Sequence, residues 1–487
     1  MKTFLLSLLS LCLICGSASA NSPENSAEKT KKNVTYNEKG EIIKTGVNLG
    51  PLPVVAYDAD RGFQFGALLN IYDFGNGANY PNPNSQWYIE ASAYAKDSKV
   101  GSYKLVLNYD NKTLIPGVRM SICTGYFKDA ALDFYGLNGY QSVYDMSLLE
   151  PTFTFDGSYD KDSEDYNKIY GKYHNKGKLP KGFYRYGRDQ IRLKADFTGE
   201  ILQNFYWEAG YNFSWTKTQS FTPKGYAVLN NPEIRDMYVE GGTTLFDLYK
   251  AWGIIPENEA NGGVSSGVRL GLMYDTRNVE NNPTEGIWAE GHLLLNPSWL
   301  GTTKGQSYYK YCLTMRQYVP IVKDVLTFAY RVGYEGTIGK TAPWYTAPFY
   351  TSMGIKPDYD GFGGYRTVRG LMLNRVQGLD VGFYNIELRY KFVEFKMLKQ
   401  NIAFAFSAFT DAAHVFRGYD MQNKTGAYMD LYNKFVNTSV KDGFHASAGA
   451  GLRFIMNQNF IVAFEGAQCF NKQDGGFAFY LNTGFLF

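Results

Sequence analysis

Within Tyr365-Arg366-Thr367-Val368-Arg369-Gly370-Leu371, the triplet Val368-Arg369-Gly370 is the part of this chain that most demands a chemical explanation. It sits in a loop between two clear strand patterns, where Gly361, Gly363 and Gly364 let the backbone turn and pack tightly. An arginine held in such a loop has little use on a soluble surface. It suits a polar tunnel, where a guanidinium fork can meet a carboxylate through two hydrogen bonds, a geometry that lysine does not reproduce. Other chemistry-bearing residues are dispersed. His174, His292, His414 and His445 form no HExxH pattern, and no serine or cysteine is set beside a base as a triad requires. Asp160-Lys161-Asp162-Ser163-Glu164-Asp165 carries calcium-like acids without the turn glycine, so a solvated loop is the better reading. The expectation is no enzyme, no metal and no cofactor.

A tunnel needs walls, and the bulk composition bears on what they are. Lys2, an apolar run from Phe4 to Ile14 and Ala18-Ser19-Ala20 before Asn21 read as a secretory signal over residues 1–20. Residues 21–50 read as a polar periplasmic tail or linker, basic at Lys29, Lys31 and Lys32. Beyond the signal no stretch reaches the ~20 apolar residues that a spanning helix needs. A mean hydropathy of −0.31 looks soluble. Yet 40 Tyr, 34 Phe, 7 Trp and 51 Gly make the chain rich in aromatics and glycine, as membrane barrels are. Cys123, Cys312 and Cys469 are isolated, which argues against a disulfide scaffold or zinc site. A net charge of +3, spread along the chain, gives no nucleic-acid footprint.

Strand-like segments fall near 52–58, 61–73, 86–96, 101–110, 113–127, 184–198, 202–219, 264–276, 285–295, 305–319, 324–338, 379–393, 400–415, 443–456, 458–470 and 475–487. The alternation is clearest late in the chain, where Phe477, Phe479, Leu481, Thr483, Phe485 and Phe487 share one face. Long joins (128–183, 220–263, 339–378, 416–442) fall at one end, and short turns such as Asp110-Asn111-Lys112 and Asn457 at the other. The join at 74–85 breaks this rule. In hydrocarbon all backbone polar groups must be paired, so strands span a membrane only as a closed barrel. The fold expected over residues 51–487 is all-β: a 16-stranded antiparallel transmembrane β-barrel with an inward-folded loop between strands 11 and 12. Alternation puts Asp411 of segment 400–415 and Glu387 of segment 379–393 inside, both candidate partners for Arg369.

Phe362-Gly363-Gly364-Tyr365-Arg366-Thr367-Val368-Arg369-Gly370-Leu371 resembles the signature loop of the BamA/TamA outer-membrane assembly factors, or bacterial surface antigens. Further similarities follow in family order: Gly271-Leu272-Met273-Tyr274-Asp275-Thr276-Arg277 with Pro283-Thr284-Glu285-Gly286, Asn385-Ile386-Glu387-Leu388-Arg389-Tyr390, Phe409-Thr410-Asp411-Ala412-Ala413 and Gly449-Ala450-Gly451-Leu452-Arg453-Phe454, with Phe487 at the end. The resemblance implies that the loop enters the lumen and that Arg369 pairs with Asp411. It also implies an outer-membrane location among lipids, with client proteins or accessory subunits as partners. Residues 21–50 are too few for even one of the periplasmic POTRA domains that assembly factors carry, so the resemblance is to the barrel alone.

Pro51 and Pro53 flank Leu52 at the start of the first strand, and each removes a ladder donor. Closure pairs this strand with 475–487, where Gly484 is a further weak point and Phe487 the last residue. In the family this seam is the gate to the membrane; the prolines equally suit the end of a linker. The function expected is membrane biogenesis: insertion, translocation or handling of proteins or lipids through the seam. The alternatives are a porin-like channel or a surface interaction protein.

Overall fold

The computed structural model describes residues 35–36, 40–58, 62–96, 99–145, 182–221, 244–354, 359–398, 400–483 and 486–487. The signal segment, the tail before residue 35, the acidic run at 160–165, His174 and Gly484 lie outside these residues. The first strands are β1 (Val47–Asp58), β2 (Gly62–Asp73), β3 (Ser85–Lys96), β4 (Lys99–Ile115), β5 (Val118–Asp133) and β6 (Arg185–Leu202). Next come β7 (Phe205–Ser220), β8 (Gly262–Asp275), β9 (Gly286–Asn296), β10 (Tyr308–Val322) and β11 (Leu326–Ile338). After the two-residue strands β12 (Phe349–Tyr350) and β13 (Tyr359–Asp360), the series resumes with β14 (Asp380–Met397) and β15 (Gln400–Arg417). It ends with β16 (His445–Met456), β17 (Phe460–Cys469) and β18 (Phe477–Thr483). All but β12 and β13 pair with their sequence neighbours in one closed, sixteen-stranded antiparallel barrel.

Alternation builds the wall. On β10, Tyr309, Leu313, Met315 and Val319 are exposed outward, while Cys312, Arg316 and Tyr318 are buried inward. The outer set meets lipid and the inner set fills the lumen with arginine, carboxylate and amide side chains. The period is interrupted where β-bulges occur. Asn111 accepts bonds from the Thr113 and Leu114 backbone N–H groups at 2.7 and 2.6 Å, and the β4–β5 register is irregular between Asn111 and Ile115. The turn expected at 110–112 is therefore a kink inside β4, and the real turn is at 116–117. This local side-chain capping mimics a turn signal.

At the short-turn end, Asn457 and Gln458 both adopt left-handed backbone (φ 52° and 65°), as the central residues of primed hairpin turns do. Two joins there are long, 74–84 and 276–285, because they cross the barrel mouth. Glu280 N–H donates to Asn82 (3.3 Å), Asn281 to Asn459 (2.8 Å) and Asn282 to Gln458 (2.6 Å). Part of the expected tail joins them: buried Ile42 exchanges two bonds with Asn401 (3.0 and 3.2 Å), and Lys44 reaches Gln400 (2.9 Å).

The opposite mouth is covered by long loops carrying α1 (Leu245–Ala251) and α2 (Met429–Phe435). Thr244 and Asp247 form a capping box that starts α1. Phe134, Tyr186, Phe246, Tyr249, Trp252 and Trp344 are buried together beneath it, Phe134 meeting Tyr249 edge-on at 5.1 Å.

Candidate functional site

The join from β11 to β14 turns into the barrel, and residues 361–364 and 367–371 are buried. Gly363 has φ +120°, and a Cβ there would collide with the Met372 carbonyl oxygen, so only glycine fits. Gly370 (φ +91°) has Ala467 and Ser447 3.1 and 3.2 Å from where its Cβ would lie, which brings the loop against β16 and β17. Thr367 ties the turn together, its Oγ1 donating towards the Gly361 and Gly363 carbonyls (3.0 and 3.1 Å). Val368 and Leu371 pack with Phe362, Val376, Phe383 and Val415. The apolar half of the loop seats it; the polar half faces the charges.

Arg369 is fully buried and meets both sequence candidates together with a third acid. Its Nε and Nη2 bond Asp411 at 2.8 and 3.0 Å, a bidentate fork, and its backbone N–H donates to the same carboxylate at 3.1 Å. Nη1 lies 2.6 Å from Glu387 and 2.8 Å from Glu465. The guanidinium also stacks over Phe409, 3.4 Å from the ring centre. Burial alone would lower the Arg369 pKa, but Asp411, Glu465 and Glu387 push it well above the usual guanidinium value. Arg453 reaches Glu465 (2.7 Å) and Arg389 reaches Glu387 (2.7 Å). Three guanidiniums thus face three carboxylates with no net charge left over, the condition under which buried ions are tolerated. The loop backbone is held as well: Tyr480 OH accepts from Gly370 N–H at 3.0 Å, and Asn385 donates to the Thr367 carbonyl at 2.6 Å.

A second arginine of the same loop anchors its exit. Arg375 is 3.3 Å from Asp474 and donates to the Gly139 carbonyl at 2.9 Å. Asp474 also accepts from Tyr140 (2.7 Å) and contacts His445 (2.7 Å), whose other ring nitrogen is 2.9 Å from Asp442. One cluster therefore joins four loops to the barrel rim.

The seam is built differently. β1 pairs with β2 without a break from Val47–Asp73 to Asp58–Gly62, with Pro51 opposite Leu69 and Pro53 opposite Ala67. An unbroken ladder is possible only if the even-numbered residues of β1 exchange hydrogen bonds with β2. The nitrogens of Pro51 and Pro53 then face the seam, where they have no proton to give. Between β1 and β18 the register holds one pair among the described residues, Tyr57–Leu481. Extended, it would set Phe487 opposite Pro51. Phe487, expected on the outer face, instead lies buried in the lumen against Tyr318. With no donor opposite it in the wall, inside it gains the Arg389 and Arg331 guanidiniums, 4.8 and 5.3 Å from its ring, and a bond from Arg389 to its main-chain oxygen (3.0 Å).

Alternation already puts Arg453 and Glu465 on inner faces, so their direction is readable in sequence. Their partnership with Arg369 is not, because it depends on how far one loop reaches across four strands. Asn385 opens the Asn385–Tyr390 similarity, but its bond to the loop is not readable from it; Ser447 and Tyr480, which also hold the loop backbone, carry no motif signal. Among the described residues no group of three His, Cys, Asp or Glu is arranged to hold a metal.

Residues 130–487 match the Omp85 superfamily domain. Among solved structures, BamA from Haemophilus ducreyi lacking POTRA domains 1–3 is similar at 15% identity and TM-score 0.48, over 99% of this chain and 78% of that one. CdiB from Escherichia coli is similar at 10% identity and TM-score 0.49, over 91% of this chain and 63% of that one. No curated protein matches the chain. With the domain match running through most of its length and a closed sixteen-stranded wall, this chain belongs to the Omp85 superfamily and is an outer-membrane β-barrel of that family.

Proposed function

We propose that the barrel acts in outer-membrane biogenesis, inserting, translocating or handling proteins or lipids through the β1–β18 seam, with the Arg369 loop as its internal brace. The observation that carries this reading is that, among the described residues, the closure holds one register pair, Tyr57–Leu481, beside two prolines without donors. A seam joined by few hydrogen bonds opens at low cost, and an opening towards lipid exposes strand edges that can template an incoming strand. Client chains, or accessory subunits at the short-turn mouth, are the partners this mechanism calls for, with outer-membrane lipids around the wall. A steady porin-like channel is the weaker reading, because the loop fills part of the lumen and an aromatic cap covers one mouth.

The test is a reversible lock. Tyr57→Cys with Leu481→Cys sets two thiols on directly opposed residues, close enough to bridge. Oxidation is expected to abolish assembly activity while heat-modifiable mobility stays that of a folded barrel, and reductant is expected to restore activity. Full activity in the oxidised form would overturn the gate.

A further inference from the structure

We propose that a chamber in the lumen, apart from the Arg369 network, binds a phosphorylated sugar. The cavity encloses about 470 Å³, within the usual size of small-molecule sites. Lys104, Arg192, Lys194, Arg269, Lys310 and Arg366 line it, and among the described lining residues the one carboxylate is Glu280. Glu280 is already committed to Lys112 and Arg119, at 2.5 and 3.2 Å.

Behind the lining, Glu90 serves Lys104 (2.7 Å) and Glu335 serves Lys310 (2.7 Å), while Asp196 is shared between Arg269 (2.5 Å) and Lys194 (4.0 Å). Glu208 also lies in the field of Arg269 and Lys194, so these lining cations are matched by nearby acids. Arg366 differs. It is exposed into the chamber, and among the described residues no carboxylate lies within ion-pair distance of it. Three residues on, Arg369 has three such partners. An exposed guanidinium in a chamber lined by further cations attracts an anion, and its fork suits a phosphate.

The rest of the lining fits a sugar. Gln64, Asn70, Asn108 and Asn212 offer amide donors and acceptors for hydroxyl groups, and Tyr88 and Tyr365 offer flat faces. Ala56 of β1 and Asn482 of β18 also border the chamber, which places it beside the closure. The ligand could thus be the head group of a membrane amphiphile or a free phosphosugar, and the two share this chemistry.

The test titrates the full-length protein in non-ionic detergent with glucosamine 6-phosphate, glucosamine and inorganic phosphate. In parallel, nanodiscs with and without a diphosphorylated glucosamine lipid are assayed for capture of the protein's lipid by native mass spectrometry. Saturable binding of either phosphosugar form is expected, with glucosamine and phosphate alone at least about tenfold weaker. Arg366→Ala is expected to weaken it by about tenfold, the loss of a charge-assisted contact, and Arg366→Lys by less. Unchanged heat-modifiable mobility of these variants shows that they fold. Capture of the lipid alone identifies the head group as the source, and competition by glucosamine 6-phosphate identifies the free sugar; both support the site. No saturable binding of either form, binding that Arg366→Ala leaves intact, or equal binding of glucosamine or phosphate would overturn it. No assembly reaction enters the measurement, so a negative result leaves the seam reading standing.

Discussion

The wall from β14 to β17 and the closure between β1 and β18 are neighbours in one barrel, yet they are held by opposite means. Along the first, the strands are paired throughout, and a luminal loop adds a balanced set of three guanidiniums and three carboxylates. Along the second, the described residues hold one register pair, and two prolines face the closure without donors. The loop's ionic network therefore sits on β14 to β17, and the loop holds β18, one of the closing strands, through the Tyr480 hydroxyl. It fixes the wall beside the closure, so that opening is confined to one line and the rest of the barrel keeps its shape.

The largest effect is expected from breaking the braced side. Arg369→Ala leaves three buried carboxylates facing two guanidiniums, a change that costs about 3–5 kcal/mol in dry settings and less where water enters. The folded band in a heat-modifiable mobility assay is expected to convert at a clearly lower temperature. Arg369→Lys keeps the charge without the fork and is expected to recover only part of the loss. A variant as heat-resistant as the native barrel would show that the network does not stabilise it.

Gly363→Ala ranks next. Its Cβ meets the Met372 carbonyl at φ +120°, so the loop must distort, at about 1–3 kcal/mol. Increased protease sensitivity within 361–376 is the expected readout, with Gly339→Ala, where nothing lies near the Cβ, as a control for the left-handed backbone alone. The smallest effect belongs to the closure itself. Pro51→Ala with Pro53→Ala returns two donors, each worth about 0.5–1.5 kcal/mol if it finds an acceptor. The expected result is a slightly more heat-resistant barrel with slower assembly; faster assembly would contradict the role given to the prolines.

Much of this was legible in the sequence. Period-two alternation is sufficient to count sixteen strands and to send Asp411, Glu387, Arg453 and Glu465 inward, because one face of each strand meets lipid. The bulge at Asn111 was not legible, since an asparagine capping its own backbone looks the same in a strand as in a turn. Nor were the mouth-crossing joins at 74–84 and 276–285, whose length answers to partners such as Asn459 and Gln458 that are distant in the chain. Phe487 misled for a simple reason: its alternation points outward, but the wall opposite it offers Pro51, while the lumen offers two arginines. Glu465 had the right direction and no visible partner, because partner choice depends on tertiary reach.

The contrast between the two regions is tested most directly by hydrogen exchange of the intact protein in nanodiscs, resolved to peptides from β1, β18, β14 and β15. Amides of β1 and β18 at the closure are expected to exchange at least about 100-fold faster than those of the β14–β15 ladder, through local opening that leaves the rest of the barrel protected. Equal protection on both sides would contradict the account.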